Sequence, residues 1–331
     1  MKKILRNIDG NLRIQKTKGH GISIAIANRT DLTTYCSGSG RYGQDFPVDP
    51  EMLFQAGSVS KPVFALTLLR YVDKGIIDLD ADISGVLSDF VDTPVTFAAL
   101  LSHTAGFNVH GFPGYHADRK PLSLEDVLSG RGNTPKIKQT MPYAQQWCYS
   151  GGGTTLAQLA FTRITGMTLQ DAFAQEVVAP LGLTRSGYFQ PLPEDLAAHA
   201  AFGGKLGKQE NRRHGYHYYP EHAAAGLWTT PTDLCKIGIA LSRSIREGGL
   251  LNQETAQRMV SPIMDDYGLC VFNFGDGSAG HSGWNAGFLT YWRFSTTEDL
   301  CVTVMINKDD NASQNRARGL RDQLFQTARI K

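Results

Sequence analysis

No stretch of this chain is apolar for long enough to cross a bilayer, and its start has no leader-like core. Met1–Lys18 is basic and polar, without the apolar run a signal peptide requires. The expected compartment is therefore the cytoplasm, or the periplasm if a leader has been removed. Net charge is scarce too. Lys and Arg number 33 against 31 Asp and Glu, leaving +2, so nothing draws the chain to nucleic acid or an anionic membrane. The arginines between Arg316 and Arg329 read as part of an amphipathic terminal helix. The cysteines are Cys36, Cys148, Cys235, Cys270 and Cys301, odd in number, widely spaced and without a C-x-x-C pair. That argues against a disulfide framework or a zinc site, and leaves most of them as small buried hydrophobes.

Other signatures are also absent. There is no H-E-x-x-H. The densest histidine cluster, "RRHGYHYYPEH" (Arg212–His222), offers His214, His217, Glu221 and His222, but Tyr218-Tyr219-Pro220 reads as loop. The expectation is no metal and no cofactor, with the aromatics of this loop, Tyr216 above all, shaping a substrate pocket. A G-x-S-x-G elbow is missing as well. Gly280-His281-Ser282-Gly283-Trp284 comes nearest, but a tryptophan fills its last position and a strand follows, which argues against an α/β-hydrolase. His103 and Asp233 show no spacing that suggests a triad, and His103 is expected to brace its own Ser/Thr-rich turn. No internal repeat or low-complexity segment is present.

What remains is a globular chain of 331 residues, 41% hydrophobic and 19% charged, long enough for two lobes around a cleft. "GISIAIA" (Gly21–Ala27) alternates as a strand, and Leu32–Cys36 returns as a second. Helices are expected at Val63–Lys74, from Thr96 to Leu101, from Ser123, and over Thr154–Ile164, Leu169–Val178, Thr230–Arg246 and Gln314–Ile330. Further strands are expected at Leu269–Phe274, Phe288–Phe294 and Leu300–Ile306. Strands at both ends must meet in one antiparallel sheet, with helices between them forming a second lobe and a crevice at the seam.

Three short elements carry chemistry. In "QAGSVSKPVF", Ser58 and Lys61 are three apart and share a face where an apolar helix begins. The free amides and dipole of a helix start favour an oxyanion, and a desolvated lysine becomes a base. Read alone, the pair also describes a polar helix start with a solvated lysine. In "WCYSGGGTTLAQL", Tyr149 sits before a helix, where a lysine ammonium would ease loss of its proton; the alternative is simple packing beside Trp147. In "GHSGWNAGF", the small residues of His281-Ser282-Gly283 would let a substrate backbone lie along a strand edge, and the Trp284 N–H could join that of Ser58 as an oxyanion hole; the alternative is a glycine-rich bend.

In the order Ser-x-x-Lys, Tyr-Ser-Gly, His-Ser-Gly, the chain resembles the class C β-lactamase-like serine hydrolases. That group includes class C β-lactamases, penicillin-recognising DD-peptidases and family VIII carboxylesterases. "LLSHTAGF" (Leu100–Phe107), "PLGLTRSGYF" (Pro180–Phe189) and "AAGLWTTPTDLCKIG" (Ala224–Gly238) extend the resemblance over about Met52 to Asn307. It implies an α+β fold, with an antiparallel sheet flanked by helices (residues 1–77 and 184–331), a mainly helical lobe (78–183) and the site in the crevice between them. It implies Ser58 as nucleophile, Lys61 as its base, Tyr149 as proton shuttle, and the Ser58 and Trp284 amides as oxyanion donors. His281, Ser282, Gly283, Gly151 and Tyr216 are the implied substrate contacts. Two departures stand out. Gly151 replaces the asparagine usual in β-lactamases, and His281 replaces their lysine. Both weigh against β-lactam hydrolysis and leave ester hydrolysis untouched. The expected function is a carboxylesterase on small acyl esters. A D-amino-acid peptidase or weak β-lactamase is the alternative on the same scaffold, and a catalytically silent binder the alternative of another class. The expected partner is a small ester or amide, with oligomeric state open.

Overall fold

The computed structural model describes residues 20–41, 44–203 and 215–329. The basic start Met1–Lys18, most of the loop that follows Gly203 (His214 included) and Ile330 lie outside these residues. Six strands form one sheet: β1 (Gly21–Asn28), β2 (Leu32–Gly38), β3 (Phe272–Asn273), β4 (Ser278–Asn285), β5 (Phe288–Ser295) and β6 (Leu300–Ile306). Their order is β2-β1-β6-β5-β4-β3, antiparallel throughout. The two chain ends meet at β1 and β6, with Ile22 opposite Ile306 and Asn28 opposite Leu300.

The sheet is covered on both faces, and the strand pattern shows why. In β1, Ile22, Ile24 and Ile26 face helix α6 (Asn311–Arg329) and pack with its Leu320, Leu324 and Phe325. Ala25 and Ala27 face the other way, into the main core. There the sheet meets α4 (Pro231–Glu247) and the turn Gly57–Val59 that leads into α1 (Ser60–Asp73). Thr230 caps α4 through the Asp233 amide, at 3.2 Å, as the Thr-Pro-x-Asp start requires. Gly238 of α4 rests on β6, where a Cβ would stand 2.4 Å from Cys301 Sγ.

The chain between α1 and residue 183 holds α2 (Phe97–Leu101), α3 (Gly151–Thr165) and shorter helical turns. Thr96 caps α2, and Ser123 with Asp126 forms a reciprocal capping box on Leu124–Leu128. Helix α5 (Gln253–Val260) packs beside α4. Among the described residues no helix is long and apolar enough to cross a membrane. The cysteines are free; Cys235, Cys270 and Cys301 are buried, while Cys36 and Cys148 are half-buried.

Two expectations are corrected. The His-Ser-Gly stretch is no mere approach to a strand: it lies inside β4, a full member of the sheet. Its glycines hide it from a propensity reading, and tertiary packing demands them, since a Cβ on Gly280 would stand 2.2 Å from the Trp292 carbonyl oxygen. Conversely, the strand expected over Leu269–Phe274 shrinks to Phe272–Asn273, because Cys270 takes a left-handed φ of 60° that ends any extended run.

Candidate active site

Ser58 lies in a tight turn, Gly57–Val59, that runs straight into α1. At that first turn its N–H has no acceptor within the helix. Lys61, one turn on, is 1% exposed. Its Nζ donates to Ser58 Oγ at 3.1 Å and to the Ala224 carbonyl at 2.9 Å. Burial pulls its pKa from 10.5 down to about 7, with the Cys270 thiol acting weakly the other way. The amine is thereby shifted toward the neutral form that can accept a proton. Ser60, between them, has a structural role. Its hydroxyl donates to the Gly57 carbonyl at 2.6 Å and accepts from the Leu227 amide at 3.0 Å.

Strand β4 supplies the facing wall. The two-residue turn at Ala286 and Gly287 makes Asn285 and Phe288 the pair that exchanges backbone hydrogen bonds. The N–H of Trp284 therefore points off the open edge of β4, where β3 has already ended. It meets the nucleophile turn at close range. A Cβ on Gly57 would stand 2.6 Å from Trp284 N, and one on Gly283 would stand 1.8 Å from the Ala56 carbonyl oxygen and 2.9 Å from Ser58 N. Glycine at 283, and glycine with a φ of 53° at 57, let the two amides converge. The Trp284 indole itself is 63% exposed and reaches Asp309 Oδ2 at 3.4 Å.

Tyr149 comes from the other side, one residue before the Ser150 cap of α3. Its ring lies 4.9 Å from Lys61 Nζ, and the Ser58 side chain acts on its hydroxyl as a hydrogen-bonding neighbour. The expected lowering of its pKa is reversed. Burial outweighs the Ser58 contact and raises it, so Tyr149 keeps its proton.

His281 is buried, its Nε2 3.2 Å from Tyr267 Oη and its Nδ1 2.6 Å from the Ser282 carbonyl. Burial first, then Lys61, holds its pKa down at about 3, so it is neutral and offers a carboxylate no charge. Ser282 is exposed on β4. Gly151 opens α3, and the space a side chain would need is taken: a Cβ would lie 2.9 Å from the Phe112 ring and 3.0 Å from the His110 carbonyl oxygen. The one predicted contact that does not gather here is Tyr216. It packs on Trp228, with ring centroids 4.9 Å apart, and lines a separate cavity of about 680 Å³ with Arg41, Phe189 and Phe202.

Gln55, Asn285 and Tyr267 were missed by sequence reasoning, and His103 was read only in part. Gln55 and Asn285 join side chains at 3.0 Å, and Asn285 also donates to the Ala225 carbonyl, tying β4 to the turn that holds Lys61. Only the adjacency of Gln55 to the serine motif hinted at this. His103 does more than brace its own turn: it accepts from the Ser150 amide at 3.3 Å and stands 3.1 Å from Tyr267 Oη. Asp233 is elsewhere, taken up by Ser186 and the Arg185 amide, so no triad forms. Of the histidine cluster, His217 Nδ1 meets the Pro113 carbonyl at 2.9 Å and His222 stacks on Tyr188.

Residues 7–326 match the family model described as Beta-lactamase. The chain belongs to the β-lactamase family. It is thus a member of a serine hydrolase family whose shared fold is the one described above. Penicillin-binding protein 4 of Amycolatopsis lactamdurans is 25% identical over 321 residues, covering 88% of this chain and 82% of the relative. Esterase EstB of Burkholderia gladioli is 29% identical over 166 residues, covering 46% of this chain and 42% of the esterase. The structure of D-amino acid amidase from Ochrobactrum anthropi SV3 superposes with a TM-score of 0.77 at 19% identity, covering 99% of this chain and all of that one, which establishes the shared fold alone. Similarity to an esterase and to a penicillin-binding protein leaves the bond attacked to be argued from the site.

Proposed function

We propose that this chain is a carboxylesterase-type serine hydrolase working on small acyl esters through an acyl-enzyme at Ser58. The observation that carries the reading is the 3.1 Å contact between Ser58 Oγ and a buried lysine amine whose pKa lies near 7. Ser58 Oγ attacks the ester carbonyl carbon, its proton passes to Lys61 Nζ, and the oxyanion settles between the amides of Ser58 and Trp284. The bond to the leaving oxygen then breaks. That oxygen takes the Tyr149 proton, which the Lys61 ammonium replaces. Water attacks the acyl carbon and gives its proton to Lys61. The Ser58–acyl bond breaks, Ser58 regains a proton and the acid departs.

Esters are favoured over β-lactams by two features of the walls. His281 carries no charge for a substrate carboxylate. Phe112 fills the space beside Gly151 in which an amide side chain would stand. Such a site has nucleophile, base and oxyanion donors but little to orient an acyl amide. Turnover of a short-chain aryl ester by wild type, a Ser58-linked acyl mass, and loss of both in Ser58→Ala are expected. A folded Ser58→Ala protein with wild-type turnover overturns the reading.

One observation favours a second reading. Beyond Gly280 the outer edge of β4 has no neighbouring strand among the described residues, so a peptide could add there as a strand. That suits a D-amino-acid peptidase or amidase. A fluorescent penicillin separates the cases: a long-lived adduct supports the peptidase, rapid turnover a β-lactamase, no adduct the esterase. A serine-reactive phosphonate that fails to label Ser58 would instead point to a silent binder.

A further inference from the structure

Behind Tyr149 runs a line of hydrogen bonds between three buried side chains from separate parts of the chain. His103 lies in the turn after α2, with a left-handed φ of 61°; Tyr267 lies in the loop after α5; His281 is in β4. They are 2%, 0% and 2% exposed. The line begins at the Ser150 amide, 3.3 Å from His103 Nδ1. It continues from His103 Nε2 to Tyr267 Oη at 3.1 Å, and from Tyr267 Oη to His281 Nε2 at 3.2 Å. It ends with His281 Nδ1, 2.6 Å from the Ser282 carbonyl oxygen.

The two ends fix every proton between them. A backbone N–H only donates, so His103 Nδ1 is an acceptor and the His103 proton sits on Nε2. A carbonyl only accepts, so His281 Nδ1 carries the proton and its Nε2 is a lone pair. The Tyr267 hydroxyl must then accept from His103 and donate to His281. Both ends demand the same direction, and no atom in the line is left without a role.

We propose that His103 and Tyr267 are positioning residues that hold His281 as the neutral Nδ1–H tautomer and fasten the Tyr149–Ser150 peptide to strand β4. The Tyr149 ring rests on the His103 ring, centroids 4.4 Å apart, and stands 6.0 Å from that of His281. The line therefore spans the seam between the helices after α1 and the sheet, and sets the angle at which Tyr149 meets Ser58. The surroundings discourage a charge on either histidine. Lys61 approaches from α1, His110 and Tyr149 from beside α3, and Cys270 from the loop before β3. Burial, then Lys61, holds both imidazoles neutral.

The role deepens the serine-hydrolase reading and rests on it for its kinetic part, but its spectroscopic part is independent. In nitrogen-15 spectra of histidine-labelled wild type, His281 is expected as Nδ1–H and His103 as Nε2–H, unchanged between about pH 5 and pH 8. Tyr267→Phe removes the one hydroxyl that joins the rings. It is expected to lower kcat about tenfold with KM within about twofold, and to leave the His281 Nε2 lone pair without its donor, which moves that nitrogen's resonance. His103→Phe keeps a ring against Tyr149 without either nitrogen and gives the same comparison should Tyr267→Phe not fold. An Nε2–H or doubly protonated His281 in wild type overturns the proposal. So does a folded Tyr267→Phe protein with unchanged kcat and an unchanged His281 Nε2 resonance. If Ser58→Ala keeps its turnover, the esterase reading fails while the tautomers still decide the line.

Discussion

Lys61 shows how one residue changes character by being moved indoors. In sequence it is a lysine near a helix start; in the structure it is buried, hydrogen-bonded to Ser58 and to one carbonyl, with its pKa near 7. The same burial acts on Tyr149 in the opposite chemical sense, keeping the phenol protonated. Base and acid are thus set apart by one physical cause. The expected consequence is a kcat/KM that rises with pH through about 7 as the amine loses its proton. Lys61→Arg keeps a cation but cannot present a free base. It is expected to lose about 10²–10⁴-fold in kcat with no rising limb, which a pH–rate series on an aryl ester would check.

At the scale of elements, glycine decides. Three glycines open α3, where propensity alone puts the start at Thr154. They are helical because Ser150 caps the Gly153 amide at 2.8 Å and the carbonyls of His110 and Val109 take the amides of Gly151 and Gly152. The loop can reach those amides only because no Cβ stands in its way: one on Gly152 would lie 2.6 Å from the Asn108 oxygen. Restoring a β-lactamase-like asparagine is therefore blocked by Phe112. Gly151→Asn alone is expected to leave penicillin turnover unimproved and to lower ester kcat/KM. Paired with Phe112→Ala it is expected to recover at least part of the ester activity. Steady-state kinetics on the two single variants and the double give the coupling directly, and additive losses would refute the blocked-space account.

At the scale of the whole molecule, one buried carboxyl ties stability to pH. Glu221 is 0% exposed, and both its oxygens lack a hydrogen-bond partner among the described residues. Burial raises its pKa from 4.5 to about 8. Between those values the folded chain holds a proton that the unfolded chain has released. Its contribution is therefore fully present below about 4.5 and is lost as pH rises through about 8. Each unit of pKa shift is worth about 1.4 kcal/mol, so the whole window amounts to something on the order of 5 kcal/mol. His281 and Lys61, with lowered values, run the other way. The difference between wild type and Glu221→Gln isolates the effect: the variant is expected to gain relative stability as pH rises from about 5 to 9, read from urea midpoints. Parallel curves would rule it out.

Local patterns made the alternating strand at Gly21–Ala27, the capped starts at Thr96, Ser123 and Thr230, and the Ser-x-x-Lys spacing legible before any folding, since each depends on neighbours a few residues away. Strands at both ends carried the expectation of a sheet closed by the two chain ends, and the order of the three motifs carried the family. What only tertiary structure decided is whatever rests on contacts between distant segments: β4 as a strand despite its glycines, the space beside Gly151 filled by Phe112, Tyr216 turned toward a different cavity, and His103 joined to His281 through Tyr267. The protonation of Lys61, Tyr149 and Glu221 belongs there too. The physical reason is shared. Burial and close approach are set by what other segments exclude, chiefly water, and no local run of residues encodes what will be packed against it.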